Sequence, residues 1–96
     1  MKVEYHPSTV ADLNAAISHY DRQRAGLGSL FRAEVYAVID RVIEDPQLYA
    51  EVKGVRRALV KRFPYSVVYR LMPDERIRVL MIRHHKRHPE HGAQRS

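Results

Sequence analysis

The sequence predicts an α+β fold with the order β-α-α-β-β-β, a helical hairpin packed on one face of a small, mainly antiparallel sheet. Three observations lead there. Residues 8–44 carry apolar side chains at helical spacings of three and four. Residues 56–87 carry short runs rich in Val, Tyr and Ile, separated by connections that contain proline. The two helical stretches are joined by a short Gly-Leu-Gly break, which makes them antiparallel neighbours.

Lys2–Tyr5 alternates in polarity and reads as a first strand. His6-Pro7 ends it, because proline donates no backbone hydrogen bond and restricts the residue before it. Ser8 or Thr9 is placed to cap the helix that follows, with Asp12 in its first turn. Val10, Leu13, Ile17 and Tyr20 form one apolar stripe on a helix that runs to about Arg24. Gly26-Leu27-Gly28 breaks it. The second helix runs from about Ser29 to Glu44, with Phe31, Val35, Val38 and Val42 on its buried face, and Asp45-Pro46 stops it.

Gln47–Val55 reads as a loop. Three strands follow, at Ala58–Val60, Val67–Leu71 and Ile77–Ile82. Phe63-Pro64-Tyr65-Ser66 connects the first two. Met72-Pro73-Asp74-Glu75-Arg76 is a hairpin turn, with one φ set by proline. The β-branched and aromatic content of the last two runs suits a pleated, half-buried surface. Val79-Leu80-Met81-Ile82 is apolar at four consecutive positions, which marks a central strand or one covered on both faces.

The 96 residues make one domain, expected over residues 1–91, with residues 92–96 as a frayed tail that has no apolar anchor. No stretch nears the roughly 20 apolar residues that span a bilayer. The start has no secretory apolar region. Without cysteine the chain has no disulfides, zinc thiolates or cysteine nucleophile. The expectation is a cytoplasmic protein with no membrane partner, no cofactor and no metal.

Charge divides the chain. Residues 56–96 hold eleven Lys and Arg against three acids, a net +8, while residues 1–55 hold six against eight, a net −2. The +6 of the whole chain therefore comes from its C-terminal part. Such asymmetry points to an acidic partner, whether nucleic acid, an anionic surface or an acidic protein segment. The alternative is that arginine and lysine at sheet edges protect exposed strands.

Two constellations could carry chemistry. The first is His84-His85-Lys86-Arg87-His88-Pro89-Glu90-His91, with four of the six histidines. Histidine ligates metals and shuttles protons, but this spacing fits no closed zinc motif and Pro89 interrupts a helical face. The second is Arg57, Lys61, Arg62, Arg70, Arg83 and Arg87. Strand alternation puts Arg57 and Lys61 on one face if the strand is regular through both. Guanidinium groups can clamp phosphates and stabilise a phosphorane without metal, so metal-independent RNA cleavage is chemically open. A binding surface needs only the charge. Gly26-x-Gly28 lacks the strand and remaining glycines of a nucleotide fingerprint and reads as a turn.

In order, the chain carries His6-Pro7 with Asp12-Leu13, Gly26-Leu27-Gly28-x-x-Phe31-x-x-Glu34-Val35 and Pro46-x-x-Tyr49. It continues with Arg57-x-Leu59-x-x-Arg62-Phe63-Pro64-Tyr65-x-Val67-x-Tyr69, Ile77-x-Val79-Leu80 and His84-x-x-Arg87-x-Pro89. In these pieces it resembles the RelE/ParE toxins of bacterial type II toxin–antitoxin pairs, over residues 3–89. The resemblance implies the same β-α-α-β-β-β fold and a small basic toxin neutralised by a cognate acidic antitoxin, in a toxin–antitoxin hetero-oligomer. RelE-like members cut mRNA on the ribosome, and ParE-like members poison DNA gyrase.

The ribonucleases typically carry basic residues on the first hairpin strand and at the end of the last. They also carry an arginine directly after the tyrosine that opens the next strand. Here Arg57 and Arg87 match the outer places, but Leu59 takes a second basic position and Ser66 stands where the arginine would follow Tyr65. If the chain is a nuclease, Arg57, Arg87, His84 and His85 are its candidate catalytic groups. The departures make the resemblance more ParE-like, implying a gyrase poison rather than an enzyme. The alternatives are a ribosome-dependent endoribonuclease and an inactive corepressor bound to its antitoxin. Arg57, Lys61, Arg62, Arg83, His84, His85, Lys86 and Arg87 are the candidate residues for binding the target or the antitoxin.

Overall fold

The computed structural model describes residues 2–86. Its elements in order are β1 (Val3–Tyr5), α1 (Pro7–Gln23), α2 (Leu27–Glu44), β2 (Glu51–Val52), β3 (Val55–Leu59), β4 (Tyr65–Leu71) and β5 (Ile77–His84). They form an α+β fold, with two helices against one mixed five-stranded sheet of order β1-β5-β4-β3-β2. The expected domain boundary at residue 91 and the tail at 92–96 lie outside the described residues.

The start of α1 differs in detail from the sequence reading. His6 is the cap, its Nδ1 accepting the Ser8 N–H at 3.1 Å. Pro7 takes the first helical position, where a missing N–H costs nothing. Thr9 is buried in the first turn and its hydroxyl donates to the Val79 carbonyl at 3.2 Å. Asp12 lies beyond that turn, and its Oδ2 accepts the Ile82 N–H at 3.3 Å. The residues read as cap and dipole partner are thus tethers between α1 and β5. The apolar stripe turns with them: Val10 is 53% exposed, while Ala16 and Tyr20 are buried.

The turn between the helices rests on two glycines with different jobs. Gly26 caps α2 from the left-handed region, at φ 88°. Gly28 sits against α1, its N–H donating to Asp21 Oδ1 at 2.8 Å. A Cβ there would collide with the Ile17 carbonyl oxygen and the Asp21 carboxyl group.

The structure adds one strand to the expected order. β2 lies in the stretch read as a loop and pairs with β3, Val52 opposite Val55. Lys53 and Gly54 make the two-residue turn, both at positive φ (53° and 83°), the geometry of a hairpin turn matched to strand twist. Lysine at the first turn position hides this hairpin, because asparagine or aspartate is the usual signal.

β5 is an interior strand, between β1 and β4. It pairs antiparallel with β4 and parallel with β1, Val3 opposite Ile77. Val68 faces Met81 and Tyr69 faces Val79, so Leu80 is an extra residue in a β-bulge. The bulge explains why four consecutive apolar residues are all buried in one strand. Phe31, Val35, Val38 and Val42 of α2 pack on Ala58, Val67, Tyr69, Ile77, Val79 and Ile82 of the sheet. Tyr20, Phe31, Phe63 and Tyr65 close one end of this core, with ring centroids 4.9 Å apart for both Tyr20–Phe63 and Phe31–Tyr65. At the other end Tyr69 is fully buried and its hydroxyl donates to the Pro46 carbonyl at 2.7 Å.

Two outcomes are expected of the fold. Gly28→Ala has no room for its methyl group, so it should lower the unfolding free energy by about 1–3 kcal/mol, measured by urea titration. Tyr69 gives the pH dependence. Burial raises its phenol from 10.0 to about 12, with Tyr49 and Asp45 adding to the rise and Arg56 opposing it. The unfolded chain therefore sheds this proton at a lower pH than the folded one, and stability should fall from about pH 10 to about pH 12. Tyr69→Phe should lose about 1 kcal/mol at neutral pH with its hydrogen bond, yet show a shallower fall across that alkaline window.

Candidate functional site

The helices cover one face of the sheet and leave the other open. Ala58, Val67, Tyr69, Val79 and Ile82 point to the helices, so alternation puts Arg57, Leu59, Ser66, Val68, Arg70, Arg78, Met81 and Arg83 on the open face. The register arranges them in rows across the strands. Leu59, Ser66 and Arg83 are aligned, as are Arg57, Val68 and Met81, while Arg70 stands opposite Arg78. Four arginines therefore frame a small apolar centre. Val68 and Met81 are only 8% and 2% exposed.

These arginines have few partners. Arg70 Nε donates to the Gly54 carbonyl at 3.3 Å. The Nε atoms of Arg78 and Arg83 are buried and have no hydrogen-bond partner. Among the described residues, none of the four is in an ion pair. The remaining arginines of the sheet region behave differently. Arg56 points to the helix side, donates to the Tyr49 carbonyl and lies 4.0 Å from Glu51. Arg76 binds Glu4 and Asp74, both at 2.6 Å.

The candidate residues from the sequence fall into three places. Arg57 and Arg83 are on the open face. Lys61 and Arg62 are not on a regular strand, since β3 ends at Leu59. Arg62 has φ 71° in the connection to β4, and its Nε lies 3.5 Å from Glu34. The expectation that Arg57 and Lys61 share a strand face therefore does not hold. His84, His85 and Lys86 end β5 and begin the next turn. The two histidines go to opposite sides. The His84 ring meets Tyr65 edge-on, 4.9 Å between centroids, on the helix side. His85 Nε2 lies 2.9 Å from the Ser66 hydroxyl, on the open side. Arg87 is outside the described residues, as are His88 and His91.

A groove of about 620 Å³ lies beside this end of the sheet, between α1 and β5. Ala11, Ala15 and His19 line it from the helix, and Arg83, His84 and Lys86 from the strand end. Arg78 is the open-face residue that sequence reasoning passed over. Its place follows from the bulge, which no residue pattern announces. Among the described residues no cluster of three His, Asp or Glu groups is arranged to hold a metal ion, and no helix is long and apolar enough to cross a membrane. What this face can do chemically is bind anions by charge-assisted hydrogen bonds.

Comparison with known proteins agrees with this architecture. Residues 3–89 match the family described as ParE toxin of type II toxin-antitoxin system, parDE. Among solved structures the chain is similar to one from the chromosomal ParDE toxin–antitoxin system of P. aeruginosa. That match has 26% sequence identity and a TM-score of 0.65, and covers 88% of this chain and 95% of the other. No curated protein matches significantly. The family match spans nearly the whole sequence, and the chain belongs to the ParE toxin family of type II toxin–antitoxin systems.

Proposed function

We propose that the chain arrests growth by binding DNA gyrase, without covalent chemistry, and is neutralised in the cytoplasm by a cognate acidic antitoxin. The observation that carries the non-enzymatic part is Ser66. It stands where the resemblance to the ribonucleases would require an arginine, it is 0% exposed, and its hydroxyl is engaged with His85. Beside it Leu59 points out, 63% exposed, in place of a second basic residue. The row that would carry two cations of a nuclease carries a hydroxyl and an isobutyl group. The ribonuclease reading keeps one supporting observation, that Arg57, Arg83 and His85 share the open side of the sheet.

The antitoxin part rests on charge and shape. The groove beside α1 offers small alanine side chains for close approach, with Lys86 and one acid, Asp12, along its lining. An acidic, amphipathic segment that folds on binding suits such a surface. The +8 of residues 56–96 would attract it over a distance.

Two measurements test this reading. Purified chain added to gyrase should lower the rate of DNA supercoiling and leave ribosome-bound mRNA uncut. Cuts at defined codon positions that vanish with Arg57→Ala would establish the ribonuclease instead. Co-expression with the product of the adjacent gene should yield a stable complex and restore host growth. Failure of both adjacent gene products to bind would remove the antitoxin from the account.

A further inference from the structure

The open face offers a partner guanidinium groups, and its exposed apolar side chains, Leu59 and Val52 at 63% each, stand on the outer strands β3 and β2 rather than at its centre. Val68, Met81 and Ser66 at its centre are already buried. The buried Nε atoms of Arg78 and Arg83 mean that those side chains lie down across the sheet rather than extend from it. An amphipathic peptide binds by inserting apolar anchors into exposed pockets, and the centre of this face has none to receive them. A sugar-phosphate backbone asks for something else, a spread of fixed cations with free donors.

Arg57, Arg70, Arg78 and Arg83 provide that spread. They stand on three adjacent strands, about 4.8 Å apart between strands. The face carries one acid in register with them, Glu4 opposite Arg78, and its carboxylate is engaged by Arg76 at 2.6 Å. The Nε atoms of Arg78 and Arg83 are buried, which leaves the outer guanidinium nitrogens as the donors for a phosphate oxygen.

We infer that the open face of the sheet binds the backbone of duplex DNA, without reading its sequence. Duplex is favoured over single strands because, among the described residues, no Phe, Tyr or Trp stands on this face. Tyr65 and Tyr69 pack on the helix side, and Phe63 is in the core. Binding of single strands relies on bases stacked on aromatic rings. The contacts available are to phosphates, and phosphate contacts carry no base information. This inference stands apart from the identity of the toxin's target, since it concerns naked DNA with no second protein present.

Fluorescence anisotropy with the full chain and a labelled 20-base-pair duplex of arbitrary sequence provides the test. Binding should be detectable at 50 mM salt and weaken steeply as salt rises. Arg57→Ala with Arg70→Ala, the two of the four without a buried, unpartnered Nε, should weaken it at least about tenfold and lower the salt slope by about 2. Arg22→Ala with Arg41→Ala removes the same charge from exposed helix positions and should change affinity less than about threefold. A thermal melt accompanies each variant. Should the alanine pair unfold, Arg57→Lys with Arg70→Lys replaces it and should keep most of the salt slope while losing affinity.

Equal losses in the helix and sheet variants would overturn the inference, as would no binding at 50 mM salt. Displacement of the duplex by poly-glutamate at the same charge concentration would assign the face to an acidic protein segment. Tighter binding of a single-stranded RNA of equal length would assign it to that ligand and also overturn the inference.

Discussion

The fold depends on the interior strand β5. Three elements are organised by its backbone. The parallel strand β1 takes one edge and the antiparallel β4 takes the other. The helix α1 is attached from above, through the Thr9 hydroxyl on the Val79 carbonyl and the Asp12 carboxylate on the Ile82 N–H. The His6 N–H also donates to the Val79 carbonyl, at 2.8 Å. These bonds fall at and around the bulge at Leu80, where regular pairing is interrupted and main-chain groups need other partners. Thr9 and Asp12 meet that need, and in doing so set the position of α1 over the sheet. The groove beside α1 has its shape because of that position.

A sheet covered on one side has two different surfaces, and this chain divides its chemistry between them. Helix-facing positions hold Val, Ile, Tyr and Ala, and their burial drives folding. Open-face positions hold arginine around a small apolar strip. Long arginine stems can shield such a strip while keeping their charge near water, which lets the face stay exposed without becoming sticky. The same arrangement gathers positive charge on one surface. Charges with local partners, such as Arg76 between Glu4 and Asp74 or Arg62 near Glu34, lie at turns away from the open centre. Among the described residues of the sheet region, the arginines without ion pairs are thus the ones the strands hold in rows.

Much of this was legible from the residues. Helical spacing located α1 and α2, because a core-facing helix repeats its apolar positions whatever it packs against. Proline and charge located the turn after β4, and the apolar run at residues 79–82 marked β5 as a strand inside the sheet rather than at its edge. What stayed hidden were features decided by tertiary partners. His6 became the cap of α1 because Ser8 and Thr9 were drawn into the helix, Thr9 by a carbonyl about seventy positions away in the chain. Strand β2 has two residues and a lysine in its turn, too little for periodicity to register. Placing Lys61 on one strand face with Arg57 extends an alternation past Leu59, where β3 stops. The basic cluster was visible as composition, but its division into an open face, a paired turn and a helix-side groove needed the register.

Ser66 ties the two surfaces to the question of mechanism. Its position lies at the centre of the sheet, between Leu59 and Arg83, and has no exposed area. A guanidinium there would have to displace His85, which bonds the Ser66 hydroxyl from the open side, and would stand directly beside Arg83. Two cations in register on neighbouring strands repel each other unless an anion lies between them. A serine avoids that repulsion and leaves His85 as the group that covers this end of the face. The serine therefore spares this end of the sheet a second cation pair in register, beside that of Arg70 and Arg78. A cation-dense catalytic row would instead trade resting stability for phosphate chemistry. The arginines of the open face are thus spaced across three strands rather than converged on one point.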